Sequence, residues 1–145
     1  IFRNTEKTIL LHCTNTNLMN KGTILVVDDE PINFKLLNAI LKREGYAVEY
    51  ADSGCRAVDM ASKSDYCMII MDLKMPDMNG IEATRRIKKV KHDINIIASS
   101  AINNMEHNEY MLFNDFLSKP INRGQLVEIV EKYAKENDIC PQKKK

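Results

Sequence analysis

The side chains of this 145-residue chain that are suited to chemistry fall at the ends of short apolar runs. Asp28 and Asp29 follow "TILVV". Asp72 ends the run in "CMIIMDLKMPDMNG", Cys67 to Gly80. Ser99 and Ser100 follow "INIIA", and Lys119 stands before Pro120 in "DFLSKP". Three carboxylates meeting at one edge repel each other, and their pKa values rise unless a cation sits among them. Hard oxygen donors of this kind suit Mg2+, which is held by one or two carboxylates together with waters and phosphate oxygens. A lysine and a serine hydroxyl opposite them add a positive charge and a donor, which suits a phosphoryl group. Phosphoryl transfer asks mainly for positioning and charge neutralisation, and an aspartate can itself be the nucleophile and form an aspartyl-phosphate. Asp72, alone at the end of its run, is the best acceptor. Taken singly, each of these residues has an ordinary explanation as a cap, a turn residue or an exposed lysine. Their joint occurrence in this order is far more specific.

The elements that must position them can be read from periodicity. "TILVVD" and "YCMIIMD" are continuous apolar runs, as expected of strands buried on both faces. "YAVEYA", "INIIAS" and "DFLSKP" are three further strands. Between them, "EPINFKLLNAILKREG" has Pro31 in its first turn and Gly45 as a stop, with rows Ile32, Leu36, Ile40 and Leu37, Leu41. "SGCRAVDMASKS" is a helix capped by Ser53, and "NGIEATRRIKKV" is a charged amphipathic helix. "NRGQLVEIVEKYAKEN" carries Leu126, Ile129, Val130 and Tyr133 on one face. Ala101 to Asn114 is poorly patterned. Strands alternating with helices imply an α/β fold with a parallel sheet, right-handed crossovers and helices on both faces. In such sheets ligands bind beyond the carboxyl ends of the strands, where the residues named above stand. Residues 1–21, Asn-rich and aperiodic, read as a linker or the tail of a preceding domain. Residues 22–136 read as the domain itself, and 137–145 as a C-terminal tail.

Bulk properties narrow the function. Formal net charge is +1, so nucleic-acid binding by overall charge is not expected, and Lys143, Lys144 and Lys145 read as a solvated end. Cys13, Cys55, Cys67 and Cys140 lack zinc spacing. Cys55 and Cys67 fall in segments that read as core helix and core strand, so buried, reduced thiols and a cytoplasmic location are expected. Apolar runs of four or five residues are too short for a membrane helix. His12, His92 and His107 read as surface residues.

These motifs together resemble the receiver domain of two-component response regulators. "ILVVDDEPIN" is similar to the family's acidic-pair segment, "MIIMDLKMPDMNG" to its phosphoacceptor segment, "IIASSA" to its fourth strand and "FLSKPI" to its lysine segment. The resemblance implies a three-layer (βα)5 flavodoxin-like, doubly wound parallel sheet of strand order 2-1-3-4-5. It implies that Asp72 accepts a phosphoryl group from a phosphohistidine on a histidine kinase or histidine phosphotransfer domain. Mg2+ would be held by Asp29, Asp72 and the backbone carbonyl of Lys74, with Asp28 close by. Ser100 would contact the phosphoryl group and Lys119 would pair with it, with Ser100 and the aromatic Phe116 acting as the switch. "DDEPINFKLL", the start at Ile1 and the lack of a helix-turn-helix after residue 136 point to the receiver of a hybrid sensor histidine kinase. By the same resemblance the domain itself would not touch nucleic acid or membrane, and a phosphorylation-dependent dimer is compatible with it.

The chain departs from the family in one region. Ser100 to Lys119 is shorter than the family pattern and lacks a small Ala/Gly pair before the fifth strand, so the fourth helix is expected to be short, shifted or mobile. Ile102 is expected to shield an aspartyl-phosphate from water. Three other readings compete. A pseudo-receiver would use the fold only for docking, but such proteins lose an acidic residue or the lysine. An aspartate-nucleophile phosphatase would have a second Asp where Lys74 stands. A nucleotide or flavin binder would need a P-loop or GxGxxG after the first strand, where "DDEP" stands instead.

Overall fold

Val, Ile and Leu crowd the segments that follow Gly22, Cys67 and Asn95, and these become the three central strands of the sheet. The computed structural model describes residues 21–101 and 105–139. Within them the strands are β1 (Thr23–Val27), β2 (Ala47–Ala51), β3 (Met68–Asp72), β4 (Ile96–Ser100) and β5 (Asp115–Ser118). The helices are α1 (Pro31–Arg43), α2 (Gly54–Lys63), α3 (Gly80–Val90), α4 (His107–Tyr110) and α5 (Arg123–Ile139). All neighbouring strands run parallel, in the order β2-β1-β3-β4-β5. This is the three-layer, doubly wound arrangement that the family resemblance implied, and such a sheet has its crevice at the carboxyl ends of β1 and β3, where the chain order reverses.

The period of two along each strand divides the core into two layers. Ile24, Val26, Met68, Ile70, Ile97 and Leu117 pack beneath α1 and α5. Leu25, Val27, Ile69, Met71, Ile96 and Ala98 pack on the other face, with Ala57 and Ala61 of α2 and Ala83 and Ile87 of α3. Each fully buried Val, Leu, Ile or Met among them contributes about 1.5–3 kcal/mol. β3, buried at every position, is the strand both layers share most completely.

Helix starts follow local chemistry. Pro31 opens α1. The Ser53 side chain accepts from the Arg56 N–H at the start of α2, and the Asn79 side chain accepts from the Glu82 N–H at the start of α3. Gly45 ends α1 with φ of 97°, a left-handed conformation that glycine tolerates best. On α5, Leu126, Ile129, Val130 and Tyr133 are all buried, as their spacing predicts.

Several expectations need correction. Cys55 is exposed and Cys67 half-buried, so neither is a core thiol. The helical pattern around Cys55 is real, but the buried face of α2 is the one carrying Ala57 and Ala61. Of the two apolar rows on α1, Leu37, Ile40 and Leu41 are buried while Ile32 and Leu36 face solvent. A 3.6-residue period identifies the helix but leaves both flanks of the stripe eligible until the sheet beneath is known. α4 has four residues, in keeping with the weak pattern there. His92 and His107 are exposed. Residues 1–20, with His12 and Cys13, lie outside the described residues, as do Ile102 and residues 140–145.

Candidate functional site

The carboxyl ends of β1 and β3 bring Asp28, Asp29 and Asp72 together, with one oxygen from each lying within 4.8 Å of the others. The sheet ladder does this work. The Asp28 N–H donates to the Ala51 carbonyl at 3.1 Å, which carries β1 one residue past its end. Asp72 closes β3 opposite Ser99 of β4. Asp28 and Asp72 follow Val26 and Ile70 at the period of two, so both point to the α1/α5 side of the sheet, and both are buried. Asp29 is exposed at the rim.

Lys119 enters from beyond β5. Its N–H donates to the Ser100 carbonyl at 3.1 Å, which holds the main chain in line with the sheet. Its Nζ reaches Asp28 Oδ2 at 3.1 Å and Asp72 Oδ1 at 3.2 Å. Burial alone would lower the lysine's pKa, but its bonds to the two aspartates outweigh this and hold it above the ordinary value. Burial pushes the Asp72 carboxyl up to about 6. The Asp28 charge adds to this, while Lys119 and the Lys74 N–H, which donates at 3.3 Å, oppose it.

The acidic pair has its own supports. Asp28 Oδ1 accepts from the Glu30 N–H at 2.9 Å and from Asn33 Nδ2 at 3.3 Å, at the start of α1. The Tyr50 hydroxyl donates to the Asp28 carbonyl at 2.8 Å, and the Tyr50 ring stacks on Phe34 with centroids 4.3 Å apart. The loop after Asp72 is tied down at both ends. A Cβ at Gly80 would fall on the Asp72 carbonyl oxygen, closer than atoms approach, so only glycine lets α3 begin there. The Asp77 carboxylate accepts from the Gly54 and Cys55 N–H groups, each at 3.4 Å, at the start of α2.

Ser100 and Phe116 occupy the other face of the sheet. Ser100 follows Ile96 and Ala98 at the period of two, and Phe116 pairs with Ala98 in the ladder. The Phe116 ring lies 5.1 Å from Tyr110 and 5.9 Å from Phe113, and it packs against the layer that contains α3. The three carboxylates and Lys119 therefore form one cluster, with Ser100 and Phe116 beside it across the sheet. Lys74 meets the cluster through its N–H. Sequence reasoning gave no structural role to Tyr50, Asn33 or Asp77. Tyr50 could have been noticed as a polar aromatic at the end of the strand neighbouring β1. Asn33 and Asp77 carried no signal beyond ordinary helix-start composition.

Hard oxygens at this spacing fit a divalent cation such as Mg2+. The cluster also leaves a buried, ionisable carboxylate beside a half-buried lysine, the combination needed to accept an anionic electrophile.

Comparison with known proteins gives a consistent result. Residues 24–131 match the model of the response regulator receiver domain. The signal transduction histidine-protein kinase BarA of Escherichia coli is 36% identical over 122 residues, which cover 81% of this chain and 13% of that kinase. The chain thus spans a small part of the length of such relatives. Among solved structures, the receiver domain of a sensor histidine kinase from Pseudomonas aeruginosa is 32% identical with a TM-score of 0.72, over 78% of this chain and 97% of that one. It was crystallised with magnesium coordinated in its active-site cleft. The response regulator TrrA of Thermotoga maritima, in complex with magnesium and a beryllium fluoride, is 33% identical with the same TM-score, over 77% of this chain and 97% of that one.

Proposed function

The chain belongs to the response regulator receiver domain family of two-component phosphorelays, and we propose that Asp72 is its phosphoacceptor. The observation that carries this reading is the Asp28–Asp29–Asp72 cluster with Lys119 bonded into it. Asp28, Asp29 and Asp72, with the carbonyl of Lys74, would hold Mg2+. When bound, the ion neutralises the carboxylates and the phosphoryl oxygens that approach them. An Asp72 carboxylate oxygen attacks phosphorus, the P–O bond forms, and the P–N bond of the donor phosphohistidine breaks with its electron pair leaving on the imidazole nitrogen. Lys119 shifts from the aspartates to the phosphoryl oxygens. Ser100 turns toward the same oxygens, and the space it vacates on the far face of the sheet admits Phe116. That movement changes the surface around α4 and β5, a bistable element biased by charge.

The donor in this reading is a histidine kinase or a histidine phosphotransfer domain, and the parent protein is a hybrid sensor histidine kinase. Cys55 and Cys67 are reduced thiols, not disulfides, which supports a cytoplasmic location. Among the described residues no helix is long and apolar enough to cross a membrane. A net charge of +1 supports a domain that leaves nucleic acid alone, and dimerisation would follow phosphorylation.

Intact mass after incubation with acetyl phosphate and Mg2+ tests the acceptor. The expected result is a gain of one phosphoryl group in the wild-type chain and none in Asp72→Asn. No gain in the wild-type chain would instead favour a docking module that works without phosphorylation.

A further inference from the structure

Two serines end β4, and alternation sends them to opposite faces of the sheet. Ser100 shares its face with Ala98, whereas Ser99 shares its face with Ile97 of the α1/α5 layer. Ser99 is the ladder partner of Asp72, and both side chains stand on that same face. The residue is 2% exposed, and its Oγ is buried with no hydrogen-bond partner. A hydroxyl held this way is costly, and an alanine would fill nearly the same volume without the cost. Paired strands lie about 4.8 Å apart, so the Ser99 and Asp72 side chains are immediate neighbours on that face. Two donors now serve that carboxylate, the Lys74 N–H at 3.3 Å and Lys119 Nζ at 3.2 Å. Lys119 is shared with Asp28, and it is the donor that a phosphoryl group would draw away.

We infer that Ser99 is a positioning residue for Asp72. Its hydroxyl donates a hydrogen bond to the Asp72 carboxyl group when Lys119 leaves that group for the incoming phosphoryl oxygens. The inference rests on the reading of Asp72 as acceptor. In the resting domain the hydroxyl is an unpaired donor that weakens the fold. In the loaded domain it replaces the donor that Asp72 has lost and keeps the side chain aligned.

The two states therefore respond to Ser99→Ala with opposite signs, which a purely structural serine would not produce. The test compares wild type, Ser99→Ala and Ser99→Thr by thermal unfolding in EDTA and by the rate of phosphoryl uptake from acetyl phosphate with Mg2+, followed by intact mass. 19F NMR of the Mg2+–beryllium fluoride complex provides a spectroscopic readout of the loaded site. Ser99→Ala is expected to unfold at or above the wild-type temperature, to take up phosphoryl about tenfold more slowly, as for the loss of one hydrogen bond to a charged group, and to shift the bound fluorine resonances. Ser99→Thr, which restores the hydroxyl, is expected to recover most of the rate. Uptake by Ser99→Ala at the wild-type rate overturns the inference. So does a lower unfolding temperature for Ser99→Ala, or equal slowing in both variants, since either would assign the effect to packing. A wild-type chain that takes up no phosphoryl group would overturn the acceptor reading, and this inference with it, which is a distinct result from an active wild type with an indifferent Ser99→Ala.

Discussion

Lys119 is shared between two buried carboxylates, reaching Asp28 at 3.1 Å and Asp72 at 3.2 Å. Asp28 has further donors in the Glu30 N–H and Asn33, while Asp72 has the Lys74 N–H. Burial pushes Asp72 up to about 6 from 3.8, with Lys119 opposing it. The folded state then favours the protonated carboxyl more than the unfolded chain does. Without divalent cation, stability should fall as pH rises from 3.8 to about 6 and stay lower above that range. Asp72→Asn has no such titration. In EDTA its stability relative to wild type is expected to rise across that window and then level, as measured by denaturant unfolding at several pH values; parallel curves would refute this. Adding Mg2+ should raise the unfolding temperature of wild type and leave Asp72→Asn nearly unmoved, because only a ligand that binds the folded state stabilises it. Tyr50 acts one step back from the charges. Tyr50→Phe keeps the stack on Phe34 but removes the donor to the Asp28 carbonyl. Calorimetric titration should show Mg2+ bound about fivefold more weakly, the size of one hydrogen bond, about 1 kcal/mol.

At the scale of elements, the loop between β3 and α3 is the piece that must hold still beside Asp72. Gly80 lets α3 start against the Asp72 carbonyl, and Asp77 ties the loop to the first N–H groups of α2. Slight burial raises the Asp77 carboxyl, but bonds from the Met78, Cys55 and Gly54 N–H groups outweigh it and hold it below the usual value. Its contribution is therefore present above pH 3.8 and is lost as pH falls through the depressed value. Asp77→Ala should lower the unfolding temperature at pH 7 by about 2–4 °C, and the difference should close in acid. A difference that persists unchanged at low pH would mean that the carboxylate is not the group responsible. The four-residue α4 has no buried residue of its own. Tyr110, at its last turn, packs against the Phe116 ring with centroids 5.1 Å apart.

Across the whole molecule, the site depends on a sheet packed on both sides. Ile70 is 1% exposed in the α1/α5 layer, directly below Asp72 on the same face, whereas Ile32 on α1 is 72% exposed. Ile70→Ala should cost about 2–5 kcal/mol through lost burial and a cavity. Ile32→Ala should stay within about 0.5 kcal/mol. Urea unfolding of both variants checks the contrast, and a comparable loss at Ile32 would mean that the exposed row of α1 is covered in solution.

Much of this architecture was legible along the chain, because its signals are local. Continuous apolar runs marked β1 and β3, Ser53 and Pro31 marked helix starts, and each chemical side chain stood at a strand end, where an open parallel sheet presents it to a cleft. Which flank of α1 is buried was not legible, nor was the exposure of Cys55, since a helical period describes a stripe and only the packed sheet selects its centre. The same holds for the supports of the site. Tyr50 meets Asp28, Asp77 meets α2, and Ser99 meets Asp72 across separations of 22 to 27 residues. The sequence by itself determined the strands, their α/β alternation and the set of residues suited to phosphoryl chemistry. Tertiary structure alone decided which carboxylates are buried against Lys119 and which of two adjacent serines shares the face of Asp72, because strand register and pleat set those relations between segments distant in the chain.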